Sequence, residues 1–324
     1  MSYSIYRTGK IIRIAGILAT SMIVLMGCGE RDTTEEMAYR QYGINCMDSG
    51  EYDKAVDAFQ DALDVSTGGV TRLEIDICLY KAQAQFLSGD TEGALETYGA
   101  LIEYDDNAKA YYGRGSLYLA LEDSEKALND FDSAIEAAPE DYELYIGIYE
   151  TLANKGFKDK ASNYLSKAVE IKGKSGYDLM EKGRIYHLMG DDESAKGNLE
   201  KAIDEGETKA NYYMALMYLD QGEDTLAQTF FDEYLKTGEP GPEELGKIGE
   251  SLMNTGEYQV AIGYFEAALK AEEVPNEQQL RKNTIIAYER MGDFDNAKKL
   301  MAEYIKDYPE DEAAIKDNTF LETR

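Results

Sequence analysis

An alanine recurs along this chain at nearly constant spacing, each time inside a segment of one plan. The segments read GEYDKAVDAF, GDTEGALETY, EDSEKALNDF, GFKDKASNYL, GDDESAKGNL, GEDTLAQTFF, GEYQVAIGYF and GDFDNAKKLM. Their alanines are Ala55, Ala94, Ala127, Ala161, Ala195, Ala227, Ala261 and Ala297, separated by 39, 33, 34, 34, 32, 34 and 36 residues. Four positions after each stands a large apolar residue: Phe59, Tyr98, Phe131, Leu165, Leu199, Phe231, Phe265 and Met301. Five positions before each stands a glycine, with Glu122 the one exception. The period is that of a helix, a turn and a second helix. Apolar residues at helical spacing, as in AYYGRGSLYLAL (Ala110 to Leu121), form the first helix. Glycine ends it, because a helix C-terminus commonly needs a left-handed residue. An acidic or hydroxyl residue then opens the second helix as its N-cap. Alanine sits where the two helices cross, since a larger side chain would push them apart. One such unit cannot bury its apolar face alone, so tandem copies stack.

This pattern resembles the tetratricopeptide repeat, and the resemblance runs from about Glu36 to Glu310. The third repeat carries it most completely, with Tyr111, Gly115, Tyr118, Ala127, Phe131, Ala134 and Pro139 in register. Tyr39, Tyr111 and Tyr145 stand where the family usually has tryptophan, a core position. The resemblance implies an all-α, right-handed superhelical solenoid of about eight helix-turn-helix units over residues 34–310, with a C-terminal capping helix at 311–324. It also implies a concave groove lined by the first helix of each repeat. Carried over position by position, the groove residues are Tyr112 and Ser116 in the third repeat, Glu150 and Asn154 in the fourth, Tyr177, Arg184 and His187 in the fifth. The sixth contributes Tyr212, Leu216 and Asp220, and the seventh Glu250 and Asn254. The tyrosines would offer rigid amphipathic contact area, Arg184 a fork for a carboxylate, and the asparagines partners for a peptide backbone. The clamp by which some family members grip a chaperone's C-terminal carboxylate is absent, because Ile44 and Tyr80 stand where it needs asparagines.

Nothing in the chain points to catalysis. A single histidine, His187, leaves no two-histidine zinc site, and there is no C-x-x-C. Phosphate-binding and nucleophile motifs are missing too, so no enzyme activity, metal or cofactor is expected. The chain holds 33 basic and 63 acidic residues, for a net charge of −30. Such a chain repels nucleic acid and anionic lipid. Cys46 and Cys78 lie within helical patterns and read as buried thiols, a bridge between them being the alternative. DVSTGGV (Asp64 to Val70) is an inserted linker that explains the 39-residue spacing, and TRLE (Thr71 to Glu74) reads as a capping box.

The N-terminus gives an address. Arg7, Lys10 and Arg13 precede an uncharged run from Ile14 to Gly29, shorter than the roughly 20 residues of a spanning helix. That is the plan of a secretory signal. Leu25-Met26-Gly27-Cys28 resembles a bacterial lipobox, which implies cleavage after residue 27 and a diacylglycerol, with palmitate, on Cys28 of a membrane-anchored lipoprotein. An uncleaved anchor would give the same topology. Residues 28–33 are then a tether reaching about 20 Å. Together these features lead to a tethered scaffold on the extracytoplasmic face of a bacterial envelope, binding an envelope or secreted protein or peptide in its groove. The alternative is a lipoprotein that binds a solute, peptide or glycan, with Tyr112, Tyr177 and Tyr212 as stacking faces.

Overall fold

The computed structural model describes residues 33–323, apart from 272, 273, 275 and 310. The signal at 1–27 and Cys28, with the tether up to residue 32, lie outside the described residues. Seventeen α-helices are described, and no strand. None of these helices is long and apolar enough to cross a membrane.

The helices divide into two lobes, the first ending at Ile171 and the second beginning at Lys172. In the first lobe, α1 (Thr34–Asp48) pairs with α2 (Tyr52–Val65), and α3 (Arg72–Leu87) with α4 (Thr91–Asp105). There α5 (Ala108–Ala120) pairs with α6 (Ser124–Ala137), and α7 (Tyr142–Asn154) with α8 (Lys158–Val169). In the second lobe, α9 (Gly176–Leu188) pairs with α10 (Asp192–Asp204), and α11 (Lys209–Asp220) with α12 (Asp224–Thr237). The last pairs are α13 (Pro242–Thr255) with α14 (Tyr258–Ala268) and α15 (Glu277–Met291) with α16 (Phe294–Asp307). A single helix, α17 (Glu312–Leu321), follows and packs on α16. Each described pair is one repeat. Within a lobe the first helices of successive repeats also meet, α3 with α5, α5 with α7, α9 with α11 and α13 with α15.

The recurring alanines are the crossing points. All eight, from Ala55 to Ala297, are fully buried. The large residues one turn later are buried as well, from Phe59 through Met301. In four of the repeats the first helix presents a glycine opposite them, Gly43, Gly115, Gly183 and Gly249. A Cβ on Gly43 would fall 2.6 Å from the Phe59 ring, one on Gly183 2.6 Å from Leu199, and one on Gly249 2.5 Å from Phe265. The small residue on the first helix and the alanine on the second therefore set how closely the pair packs, and the ring between them fills the gap. Leu321 and Ala314 of α17 bury against Tyr304 and Met301, covering the end of the last repeat.

The turn residues explain the helix boundaries. Gly50, Gly89, Gly156, Gly190, Gly222, Gly256 and Gly292 all have φ between 71° and 90°. Glu122 holds the same conformation at φ 63° with a Cβ. Aspartate caps follow: Asp90 accepts from Gly93 N, Asp123 from Lys126 N and Asp191 from Ser194 N. The capping box at α3 is formed, with Thr71 N donating to Glu74 Oε2 at 2.7 Å and Leu73 N donating to Thr71 Oγ1. Cys46 and Cys78 are free thiols, and burial pushes the Cys78 thiol up to about 11.

Left-handed backbone costs a residue with a Cβ on the order of 1 kcal/mol. Glu122→Gly is therefore expected to raise stability by about 1 kcal/mol, and Gly156→Ala to lower it by a similar amount, in urea unfolding. At the other end, Lys282 Nζ lies 2.5 Å from Asp311 Oδ2, and Tyr304 Oη donates to the same oxygen at 2.7 Å. The Lys282 bond first, then Tyr304 and the Ala314 N–H, hold the Asp311 carboxyl well below the usual range. A depressed carboxyl contributes stability above its unfolded value of about 4 and loses it as pH falls through the folded value. The protection factors of the α17 amides, corrected for intrinsic exchange, should thus fall in acid, and Asp311→Asn should produce the same loss of protection at pH 7.

Candidate functional site

The first helices of the second lobe enclose a cleft of about 350 Å³. Arg184, His187 and Leu188 line it from α9, Tyr213, Leu216, Leu219 and Asp220 from α11, and Lys247, Glu250, Ser251 and Asn254 from α13, with Leu199 from α10 beneath. Three consecutive repeats thus supply one surface, because each first helix turns the same side outward once its other side is packed on the second helix.

Electrostatics hold the rim in place. His187 Nδ1 lies 2.9 Å from Asp192 Oδ1, and its Nε2 lies 2.9 Å from Asp220 Oδ2. Gln221 also donates to Asp192, at 3.0 Å. Hydrogen bonds from His187 and then Gln221 keep the Asp192 carboxyl below its ordinary value. The end of α9, the start of α10 and the end of α11 are joined by this cluster. Arg184 lies with its guanidinium carbon 5.2 Å from the Tyr213 ring centre and an Nη 3.5 Å from Glu181 Oε2. On α13, Glu250 receives Lys247 Nζ at 2.8 Å and Asn283 Nδ2 at 3.2 Å.

Of the groove residues expected in this lobe, the structure brings Arg184, His187, Leu216, Asp220, Glu250 and Asn254 together on the cleft wall. Tyr177 stands at the start of α9, half-exposed and outside the cleft lining. Tyr212 is elsewhere again: it is 6% exposed and packs on Phe231, Tyr234 and Ile248. Burial drives its phenol far above the usual range. Its neighbour Tyr213 takes the cleft wall instead, one residue on, where it shares a face with Leu216 and Asp220 at helical spacing. Lys247 and Ser251 line the cleft without having been singled out in the sequence, although Lys247, Ser251 and Asn254 form an i, i+4, i+7 stripe that the helical period would reveal.

In the first lobe, Tyr112 and Ser116 lie half-buried on α5, and Glu150 and Asn154 are exposed on α7. The Tyr112 hydroxyl reaches the next repeat's first helix, 2.9 Å from Thr151 Oγ1 and 3.3 Å from the Gly147 carbonyl oxygen. A Cβ on Gly147 would fall 3.2 Å from that hydroxyl, so glycine there leaves room for the ring. Ser116 Oγ donates to the Tyr112 carbonyl at 2.9 Å. Tyr112 and Tyr212 occupy the same place in their repeats and both serve to pack one repeat on its neighbours.

These features define an all-α helical-repeat protein whose first helices build a shared cleft. Family models described as tetratricopeptide repeat match residues 108–141 and 247–312. The chain carries tetratricopeptide (TPR) repeats at those residues. It is 25% identical over 183 residues to TPR repeat-containing protein MJ1428 of Methanocaldococcus jannaschii, covering 53% of this chain and 31% of that protein. It is 24% identical over 166 residues to the human protein O-mannosyl-transferase TMTC1, covering 50% of this chain and 18% of the relative. The chain therefore spans less than a third of the length of these relatives. Among solved structures, yeast Tom70 shares the fold, with a TM-score of 0.62 at 16% identity, over 98% of this chain and 72% of that one.

Core aromatics removed to alanine typically cost about 3–5 kcal/mol. Tyr212→Ala should therefore lose stability on that scale in chemical denaturation. The same change at half-exposed Tyr177 should stay within roughly 0.5 kcal/mol of the parent.

Proposed function

We propose that this chain is a membrane-tethered, extracytoplasmic scaffold that binds a protein or peptide partner in the cleft of its first helices. The observation that carries this reading is the cleft itself. Residues from three separate repeats converge on one concave surface, and their mixture of aromatic, apolar and paired polar groups suits a polypeptide. The repeat class supports a role in protein interaction, since helical-repeat arrays offer extended concave surfaces. Support for the tether comes from the sequence alone: a basic, then apolar leader closing on Leu25-Met26-Gly27-Cys28. The partner on this reading is an envelope or secreted protein, and the anchor is a diacylglycerol on Cys28, with no other cofactor.

The solute-binding alternative loses support from the positions of its stacking faces. Tyr212 is buried, and the Tyr112 hydroxyl is engaged with Gly147 and Thr151. A catalytic role finds no support in the cleft, where Asp220 and Glu250 are engaged by His187 and by Lys247 and Asn283. The transferase relative matches over a minor part of its own length, so its activity stays with that protein.

The test is crosslinking in native membranes, read by mass spectrometry. The parent chain should give discrete protein partners, and its mature N-terminus should be a lipid-modified Cys28. Asp220→Lys with Asn254→Lys, both at exposed positions on the cleft wall, should abolish the principal crosslink while helical content stays unchanged. Crosslinks indifferent to that pair would remove the cleft from the function, and an intact residue 1–27 segment in the membrane form would remove the lipid anchor.

A further inference from the structure

Aligned on the turn glycines Gly50, Gly89 and Gly222, three positions on one side of the first helices α1, α3 and α11 come into register. In α3 they are Ile77, Lys81 and Ala84, all buried on the preceding second helix. Ile77 and Ala84 pack with Phe59 and Leu63 of α2, and Lys81 Nζ donates to Gln60 Oε1 at 2.7 Å. In α11 they are Ala210, Met214 and Met217, buried with Leu199 and Ala202 of α10. This side is where one repeat stacks on the one before it. In α1 the same places hold Ala38, Tyr42 and Asn45, at i, i+4 and i+7 along one helix face. No repeat precedes α1 among the described residues, and all three are exposed, Tyr42 at 53%. Met37 flanks them at 57% exposure. The stacking face of the first repeat is therefore open, whereas α17 covers the last repeat.

The residues on this face and the short tether before it select what covers it. Asparagine stands where α3 has alanine and α11 methionine, which is too polar for a dry repeat-to-repeat contact. Glu35 and Asp48 stand exposed at the two ends of the face. A second copy of a chain with net charge −30 would thus meet it with like charge. Residues 28–33 reach only about 20 Å, which, given the lipid on Cys28, holds α1 beside the bilayer. At such tether lengths the local concentration is millimolar, so a contact too weak to hold a free protein stays occupied. Resting on the lipid anchor proposed above, we infer that the open face of α1 seats on the uncharged headgroup region of the bilayer, with Tyr42 as its interfacial side chain. Tyrosine suits that depth because its ring is amphipathic. The bilayer surface then takes the place of a preceding repeat.

The chain has no tryptophan, so Tyr42→Trp supplies a single reporter. Tyr104→Trp, at an exposed position near the end of α4, supplies the control. The mature chain is purified from membranes, its N-terminus identified by mass spectrometry, and reconstituted in phosphatidylcholine vesicles with or without brominated acyl chains. Bromine should remove about half or more of the emission at position 42, as a contact occupied most of the time requires, and leave position 104 unchanged. Ala38→Asp added beside the reporter should abolish that quenching with helical content unchanged, since Ala38 is exposed. No quenching at 42, equal quenching at both positions, or quenching that survives Ala38→Asp overturns the inference. So does a blue-shifted emission at 42 that bromine leaves intact, because protein and not lipid would then cover the face. If Cys28 carries no lipid, the anchor falls and this inference with it. If the lipid is present and position 42 stays unquenched, only this inference falls.

Discussion

In each repeat, two helices cross at a buried alanine of the second helix, and a large apolar side chain one turn later on that helix is buried beside the crossing. The eight alanines at these crossings have no exposed surface, and the partner residues from Phe59 to Met301 are nearly as deeply buried. Everything else in the chain depends on this close approach. It fixes the angle at which the second helix leaves the turn, and so demands left-handed backbone there, which glycine adopts at seven of the eight turns and Glu122 at the eighth. It also decides which side of each first helix remains free. One side of the first helix is consumed by its own second helix and another by the next repeat, and the remaining strip faces outward.

The cleft follows from repetition of that strip. In the second lobe, α9, α11 and α13 each bring one outward stripe to the same concavity. Hydrogen-bonded charges, above all His187 between Asp192 and Asp220, tie neighbouring helices at the rim. The packing positions between the stripes are occupied by residues such as Tyr112 and Gly246, which meet the adjoining repeat: Tyr112 touches Gly147 and Thr151, and a Cβ on Gly246 would meet Leu280 at 2.9 Å. A groove and a repeat-to-repeat interface thus alternate along one helix, separated by a single residue.

That single-residue alternation explains what was and was not legible before the fold was known. Crossing alanines, turn glycines and the Thr71–Glu74 capping box all follow from local rules, helical period, left-handed turns and side-chain caps, and these act within a few residues of sequence. Six of the expected groove residues share the cleft wall for a similar reason, since the stripe they lie on recurs every turn. Tyr212 and Tyr213 could not be separated that way. Adjacent tyrosines are both amphipathic, and which one points into the core depends on Phe231 and Tyr234 arriving from α12.

On the proposed reading, the surface built by the first helices is where this protein meets its partner. It is tested most directly by a photocrosslinking amino acid placed in living cells at Leu219, on the cleft wall, and separately at Leu226, an exposed apolar position on α12 outside the cleft lining. A discrete protein adduct is expected from position 219 and none from 226. Equal adducts from both positions, or an adduct from 226 alone, would contradict it.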